Sequence, residues 1–429
     1  MNALQKKASP NRRSFLKSML VAGVAPMVVS PRLFGSSSPS NKITLGFIGI
    51  GAHGSRYNLP SFLQEDDCRA VAVCDVMQDR VQAGQEMVNK QNGDTACKAY
   101  ADFRELLADK DIDGVVISTP DHWHVTMAIM GIKAGKKVFC EKPTLTIGEG
   151  QELVKAVKRN DAVFATGLED RSVTHYHKMA EAVRNGAIGE LKYISVGLPV
   201  KPIFPKVDPA PVPEGLNFDL WLGPAPEREY TPGITDAQAW RQVRDFSGGS
   251  LTDWGAHLID RAQVANFAED SGPVEVSGFG TIPADAINSV PQTYEINYTY
   301  ANGVTMHVKS DQASIRFVGT KGWVGNQGWK GRLEASDLNI YRKKYEPSKN
   351  KIWPIPPSEH RNFLDIIRNG KSANYTAHAL HKLSNSMHIG AIAMELGRAL
   401  NWDPDKEMFD DAEANALKTR KRRTSWASS

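Results

Sequence analysis

The stretch Ile43-Thr44-Leu45-Gly46-Phe47-Ile48-Gly49-Ile50-Gly51-Ala52-His53-Gly54-Ser55-Arg56-Tyr57 decides the fold. Residues 43–50 form a short apolar run bounded by a glycine turn, which predicts a buried strand, and residues 55–64 predict a helix. Three glycines in the pattern G-x-G-x-x-G therefore sit on a strand-to-helix turn. The bare pattern is weak, but in this setting each glycine has a task. Gly49 makes the tight turn, Gly51 lets the backbone approach a pyrophosphate, and Gly54 allows the helix to pack on the strand. The phosphates then meet unpaired N–H groups and the positive end of a helix dipole. The loop Gly49-Ile50-Gly51-Ala52-His53-Gly54 is thus a candidate dinucleotide cradle. Asp75 ends the next expected strand, 69–74, where a carboxylate accepts hydrogen bonds from ribose hydroxyls and repels a 2′-phosphate. That favours NAD over NADP.

Strand and helix keep alternating outward from this stretch. Helices are predicted over 78–89, 124–134, 147–158 and 175–185, with strands over 114–118, 137–140 and 163–167. Such alternation predicts an α/β fold, a doubly wound parallel sheet with helices on both faces. The texture changes after Gly197. Six prolines between 199 and 213 exclude regular helix or interior strand and predict an ordered arm. Strands are predicted just before it, over 191–196, and beyond it over 274–278, 295–300, 304–309 and 315–318. Asn302-Gly303 joins two of them as a two-residue hairpin with positive φ at both central positions. The second part is therefore α+β with a large, mainly antiparallel open sheet, and helices over 361–368 and 380–400 pack back. The expected organisation is a signal and linker over 1–41, a nucleotide-binding domain over 42–165 and an α+β domain over 166–429.

The 429 residues are 41% hydrophobic and 23% charged, a globular composition long enough for two cores. The net charge of +4 invites a nucleic-acid reading. However, residues 1–40 hold six of the 52 basic residues and none of the 48 acidic ones, so the remainder is slightly acidic. The basic run 418–423 is expected to be a solvated end, and no nucleic-acid partner is expected. A basic start, an apolar run over 19–29 and a Pro/Ser-rich stretch over 31–40 have the layout of an export signal. The apolar run is too short to span a bilayer. Within the basic start, Asn11-Arg12-Arg13-Ser14-Phe15-Leu16-Lys17 resembles the twin-arginine motif, which implies the twin-arginine export machinery as partner and a periplasmic or otherwise exported location. Cys68, Cys74, Cys97 and Cys140 show no metal-ligand spacing. On one strand, Cys68 and Cys74 stand roughly 20 Å apart and cannot pair with each other.

Two further constellations carry chemistry. Glu141-Lys142-Pro143 follows the strand 137–140 and lies at the carboxyl edge of the sheet, where ligands of this architecture bind. Lys142 there, partly desolvated beside a cationic nicotinamide, is expected to have a lowered pKa suited to taking a proton from an alcohol. Asp253 and His257, four apart in Thr252-Asp253-Trp254-Gly255-Ala256-His257, share a helix face if the segment is helical from about Thr252. A histidine oriented by a carboxylate is a competent general base.

With Ser118-Thr119-Pro120-Asp121-His122-Trp123-His124, these pieces resemble the family of glucose–fructose oxidoreductase, inositol dehydrogenase and rhizopine-catabolism proteins, Gfo/Idh/MocA. The resemblance covers nearly everything after residue 42. It implies a nucleotide-binding domain followed by an α+β domain whose open sheet often forms a dimer or tetramer interface. It also implies that Lys142, Asp253 and His257 are the catalytic trio, and that Thr119, Pro120 and His124 line the nicotinamide end beside Glu141. Arg171 matches a position often basic in the family, and Tyr176, Trp240 and Arg241 are further substrate candidates. His122/His124 and His175/His177 form H-x-H patterns without evident third or fourth ligands, so no metal is expected. The activity implied is NAD-dependent hydride transfer at a sugar or polyol hydroxyl carbon. Two alternatives stand beside it. One is an NAD-dependent glycosidase acting by transient sugar oxidation, a group that lacks the Glu-Lys-Pro element. The other is a non-catalytic NAD- or sugar-binding regulator, expected to have lost the trio.

Overall fold

The computed structural model describes residues 41–370, 374–423 and 426; the export motif lies outside them. The first sheet has six parallel strands in the order β3-β2-β1-β4-β5-β6: β1 (Ile43–Ile48), β2 (Cys68–Cys74), β3 (Lys98–Tyr100), β4 (Gly114–Ile117), β5 (Lys137–Cys140) and β6 (Phe164–Thr166). The order reverses between β1 and β4, so the crevice at their carboxyl ends is the expected ligand position. Every residue of β4 is buried, as a strand covered on both faces requires. The short β3 and the helix Phe103–Ala108 carry too little periodicity to be read from sequence.

The second sheet has nine strands in the order β13-β12-β11-β7-β10-β9-β8-β14-β15. Its members are β7 (Leu191–Pro199), β8 (Pro273–Thr281), β9 (Thr293–Tyr300), β10 (Thr305–Asp311), β11 (Ser314–Gly319), β12 (Gly322–Gln327), β13 (Leu333–Ala335), β14 (Leu400–Asp403) and β15 (Met408–Phe409). It is mostly antiparallel; β7 and β10 pair in parallel. Along β9, exposed and buried residues alternate, as expected of a sheet covered on one face. The helices Gly255–Ala265 and Ala377–Leu396 supply that cover, and the latter also packs on Ile147–Arg159. No helix among the described residues is long and apolar enough to cross a membrane.

Three expectations are corrected. The helix expected over 380–400 stops at Leu396 with Gly397 in the left-handed region, and Leu400 begins β14. At Asn302-Gly303 the connection is longer than two residues: Tyr300 N–H bonds to the Val304 carbonyl, Gly303 N–H bonds to the Tyr300 carbonyl and only Gly303 takes a positive φ, the type I turn followed by a left-handed glycine that three-residue loops favour. The basic run 418–423 is not a solvated end. Arg422 pairs with Glu149 and Glu152, Arg423 pairs with Asp219, and Trp426 packs edge-on against Trp123. Charge pairing and aromatic burial bind the run down where its local composition suggests solvent.

Candidate active site

A cavity of about 550 Å³ opens at the switch point of the parallel sheet and reaches across to the second sheet's helices and loops. Gly49, Gly51, Ala52 and His53 form one end. Gly49 has φ +89°, and a Cβ there would lie 2.7 Å from the Ser118 carbonyl oxygen. A Cβ on Gly54 would collide with the Gly49 carbonyl, so this glycine is needed for packing. At Gly51 the nearest atom to an added Cβ is the Arg80 guanidinium at 3.4 Å, which leaves the backbone open toward the cavity. Ile50 and Gly54 turn inward and do not face it; the Ile50 N–H donates to Asp75 Oδ2 at 2.7 Å. Asp75 lines the cavity with its other oxygen accepting from Met77 N–H.

At the middle, Thr119, Pro120 and His124 line the wall. Thr119 Oγ1 is buried and has no hydrogen-bond partner. His124 is fixed through both ring nitrogens, by the carbonyls of Pro143 and Thr119. An open glycine cradle, a carboxylate at the end of β2 and an orphaned hydroxyl between them fit a dinucleotide laid across the strand ends. Glu141 accepts from His53 and Asn58. Burial opposes its ionisation, but His53 and Lys142 outweigh burial and hold the carboxyl well below its usual range. In return Glu141 keeps the His53 imidazole above its usual pKa against the effect of burial.

Beyond lies the trio, arranged differently from the expectation. The helical run is interrupted at Trp254, between Ser250–Asp253 and Gly255–Ala265, and the His257 N–H reaches only three residues back, to the Trp254 carbonyl. Asp253 turns to Lys142, whose Nζ donates to Oδ1 at 3.1 Å. His257 instead pairs through Nδ1 with Asp170 Oδ2 at 3.2 Å. The carboxylate that orients His257 is therefore Asp170, delivered by the turn Glu169–Ser172 after β6, and Trp329 Nε1 also donates to it. The lowered Lys142 pKa is also overturned. Burial pulls it down, but the carboxylates of Asp253 and Glu141 raise it above the ordinary lysine value, so the side chain holds an ammonium.

Trp240 and Arg241 line the cavity as expected. Arg171 and Tyr176 do not. Arg171 is buried in a two-pronged pair with Asp260, at 2.9 and 2.6 Å, and Tyr176 is fully buried beneath the Arg261 guanidinium. A buried guanidinium is stable only when its charge is matched, and Asp260 matches it inside the second domain. Both H-x-H pairs are also diverted: His122 is held by the Trp221 carbonyl and His177 by that of Trp353. Glu169, Asp170 and His257 bring one ligand atom each within 4.8 Å of one another, but Lys330 and Trp329 already donate to this group. The sequence reading missed Lys201, Trp329, Lys330, Tyr57 and Glu359, all on the cavity wall. Each comes from a loop or segment whose local pattern carries no chemical signal.

Residues 43–168 match a family model described as an oxidoreductase family, NAD-binding Rossmann fold, and residues 203–428 match one described as an oxidoreductase family, C-terminal alpha/beta domain. Myo-inositol 2-dehydrogenase of Thermotoga maritima is 31% identical over 179 residues, 42% of this chain and 51% of that protein. The chain thus spans about half the length of that relative. An uncharacterized oxidoreductase of Synechocystis is 32% identical over 357 residues, 78% of this chain and 84% of that protein. The fold is similar to that of aldose-aldose oxidoreductase from Caulobacter crescentus complexed with glycerol, with a TM-score of 0.61 and 18% identity, covering 84% of this chain and 99% of that one.

Proposed function

The chain belongs to the Gfo/Idh/MocA oxidoreductase family, and from that premise we propose that it transfers hydride between a nicotinamide cofactor and a hydroxyl-bearing carbon of a sugar or polyol. The observation that carries the reading is the convergence of the glycine cradle, Lys142, Asp253 and His257 on one cavity. NAD, when bound, supplies the hydride acceptor or donor; Asp75 at the ribose end favours it over NADP. Lys142 exchanges the proton of the reacting hydroxyl. Asp253 holds the Lys142 ammonium in place and keeps it protonated, so that it hydrogen-bonds the reacting oxygen and returns a proton to it as negative charge builds there. His257, oriented by Asp170, takes a second hydrogen bond to the sugar or shares the proton. Trp254 and Trp329, whose ring centroids lie 5.5 Å apart, offer apolar faces to a ring while Glu169 and Lys330 offer polar partners to its hydroxyls.

Export through the twin-arginine route, which carries folded proteins, belongs to the same proposal. NAD is then bound before export, retained, and recycled on the protein by oxidising one substrate and reducing another. The open face of the second sheet, where Tyr193 and Phe279 are exposed, serves as the homo-oligomer interface. The test is to denature the purified protein and identify released nucleotide by mass. Stoichiometric NAD is expected; protein that is empty and works only with millimolar added cofactor would refute retention. Reduction of the bound nicotinamide by some member of a panel of pyranosides, inositols and 3-keto sugars tests the activity itself.

A further inference from the structure

Asp253 faces more positive charge than one carboxylate can neutralise. Lys142 Nζ lies 3.1 Å, Lys201 Nζ 3.3 Å and Arg241 Nε 3.7 Å from its oxygens. The four side chains are only 11–22% exposed, so solvent screens them weakly. The nearby acids have their own partners. Glu141 pairs with His53, Glu169 with Lys330, and Asp170 with His257. Asp121 accepts from Ser247 Oγ at 2.6 Å and is buried, where desolvation raises its carboxyl above the ordinary range against the pull of His124 and Arg241. Lys142 has a task in the reading above, whereas Lys201 and Arg241 have none in it.

Both are held toward the cavity by packing as well as by charge. Lys201 comes from the proline-rich arm, which Asn288 fixes by accepting from Phe204 N–H and donating to the Pro202 carbonyl. Its ammonium sits 5.3 Å from the Trp254 ring centroid, and the Arg241 guanidinium sits 4.2 Å from that of Trp240. Arg241 donates through Nη1 to the Ala237 carbonyl, which anchors one arm of its fork. Two surplus cations in a partly desolvated cavity are costly unless a ligand brings negative charge. We infer that Lys201 and Arg241 form a carboxylate receptor and that the substrate is a sugar acid, a polyhydroxylated molecule bearing one carboxylate. The inference rests on the hydride-transfer reading and names its substrate class. A planar guanidinium fork with a point charge beside it suits a carboxylate, and a neutral sugar leaves both charges unmet.

The test uses the NAD-loaded full chain with three hexuronates, their parent hexoses and the hexose 6-phosphates. Calorimetry reads binding, and the absorbance of reduced nicotinamide reads turnover. At least one hexuronate is expected to exceed its parent hexose in affinity by roughly tenfold or more, with a preference that weakens as salt is added. Lys201→Met is expected to reduce that ratio by about tenfold and Lys201→Arg to restore most of it, which separates lost charge from lost folding. Equal or better binding of the hexose in every pair, tighter binding of the phosphate esters, or binding of none of them overturns the carboxylate receptor. Reduction of nicotinamide by neutral sugars without preference would remove the receptor and leave the hydride reading standing. Tight hexuronate binding with no reduction by any sugar would do the reverse.

Discussion

On one wall of the cavity, Gly49 to His53, Ser118 to His124 and Glu141 with Lys142 follow the carboxyl ends of three neighbouring parallel strands, β1, β4 and β5. On the facing wall, Lys201, Trp240 with Arg241, Asp253 with His257, and Trp329 with Lys330 come from four separate segments, with Asp170 just behind them. The first wall is held by backbone geometry: a positive φ at Gly49, a close approach at Gly54 and a backbone N–H on Asp75. The second is held by charge matching between distant residues. The difference teaches that a change on the first wall acts locally, whereas a change on the second redistributes ion pairs among several partners.

Lys142, where the walls meet, gives the largest expected effect. Lys142→Ala should lower the rate of hydride transfer by about 10²- to 10⁴-fold while NAD stays bound, read by single-turnover nicotinamide absorbance and by released nucleotide. Loss of NAD together with activity would erase the separation of the two walls. Behind the second wall, Arg171→Met leaves Asp260 buried and unpaired and should cost about 3–5 kcal/mol of stability, seen in denaturant unfolding. An unchanged midpoint with weakened sugar binding would return Arg171 to the cavity. Asp170→Asn should reduce turnover by roughly tenfold or more with little change in cofactor content, because it releases His257 without touching the glycine cradle. Full activity would mean that another group orients His257.

The smallest effect is a slope with pH. Glu359 is 1% exposed, with Oε2 unpartnered and Oε1 accepting from Tyr57. Burial, reinforced by Glu169 and Glu141, pushes its carboxyl up to about 8 from an ordinary 4.5. The folded chain thus keeps a proton that the unfolded chain has lost. Its stabilising share is fully present below about pH 4.5 and is lost as pH rises to about 8. Glu359→Gln should flatten that part of the melting-temperature profile in calorimetry; an unaltered slope would assign it to other groups.

The glycine loop, Asp75 and Glu141-Lys142-Pro143 were legible because each is contiguous and tied to a strand end. His257 was legible as a residue but not in its partner. A four-residue spacing suggests Asp253, yet the break at Trp254 and the proximity of Lys142 assign Asp253 elsewhere and leave His257 to Asp170. Arg171 and Tyr176 misled for the opposite reason. Their chemistry suits a sugar, but residue type carries no information about which side of the turn at Arg171, or of the helix at Tyr176, faces the cavity. Lys201 lay in an arm recognised only as proline-rich.

By itself the sequence determined the parallel sheet, the crevice at its switch point and the place of Lys142 at the sheet's carboxyl edge, because hydrophobic period and glycine sterics act over a few residues. Only the tertiary structure decided which carboxylate each cation meets. Charge pairing depends on distances between segments far apart in the chain, 111 residues for Lys142 and Asp253 and 161 for Glu169 and Lys330, and local pattern does not encode such distances.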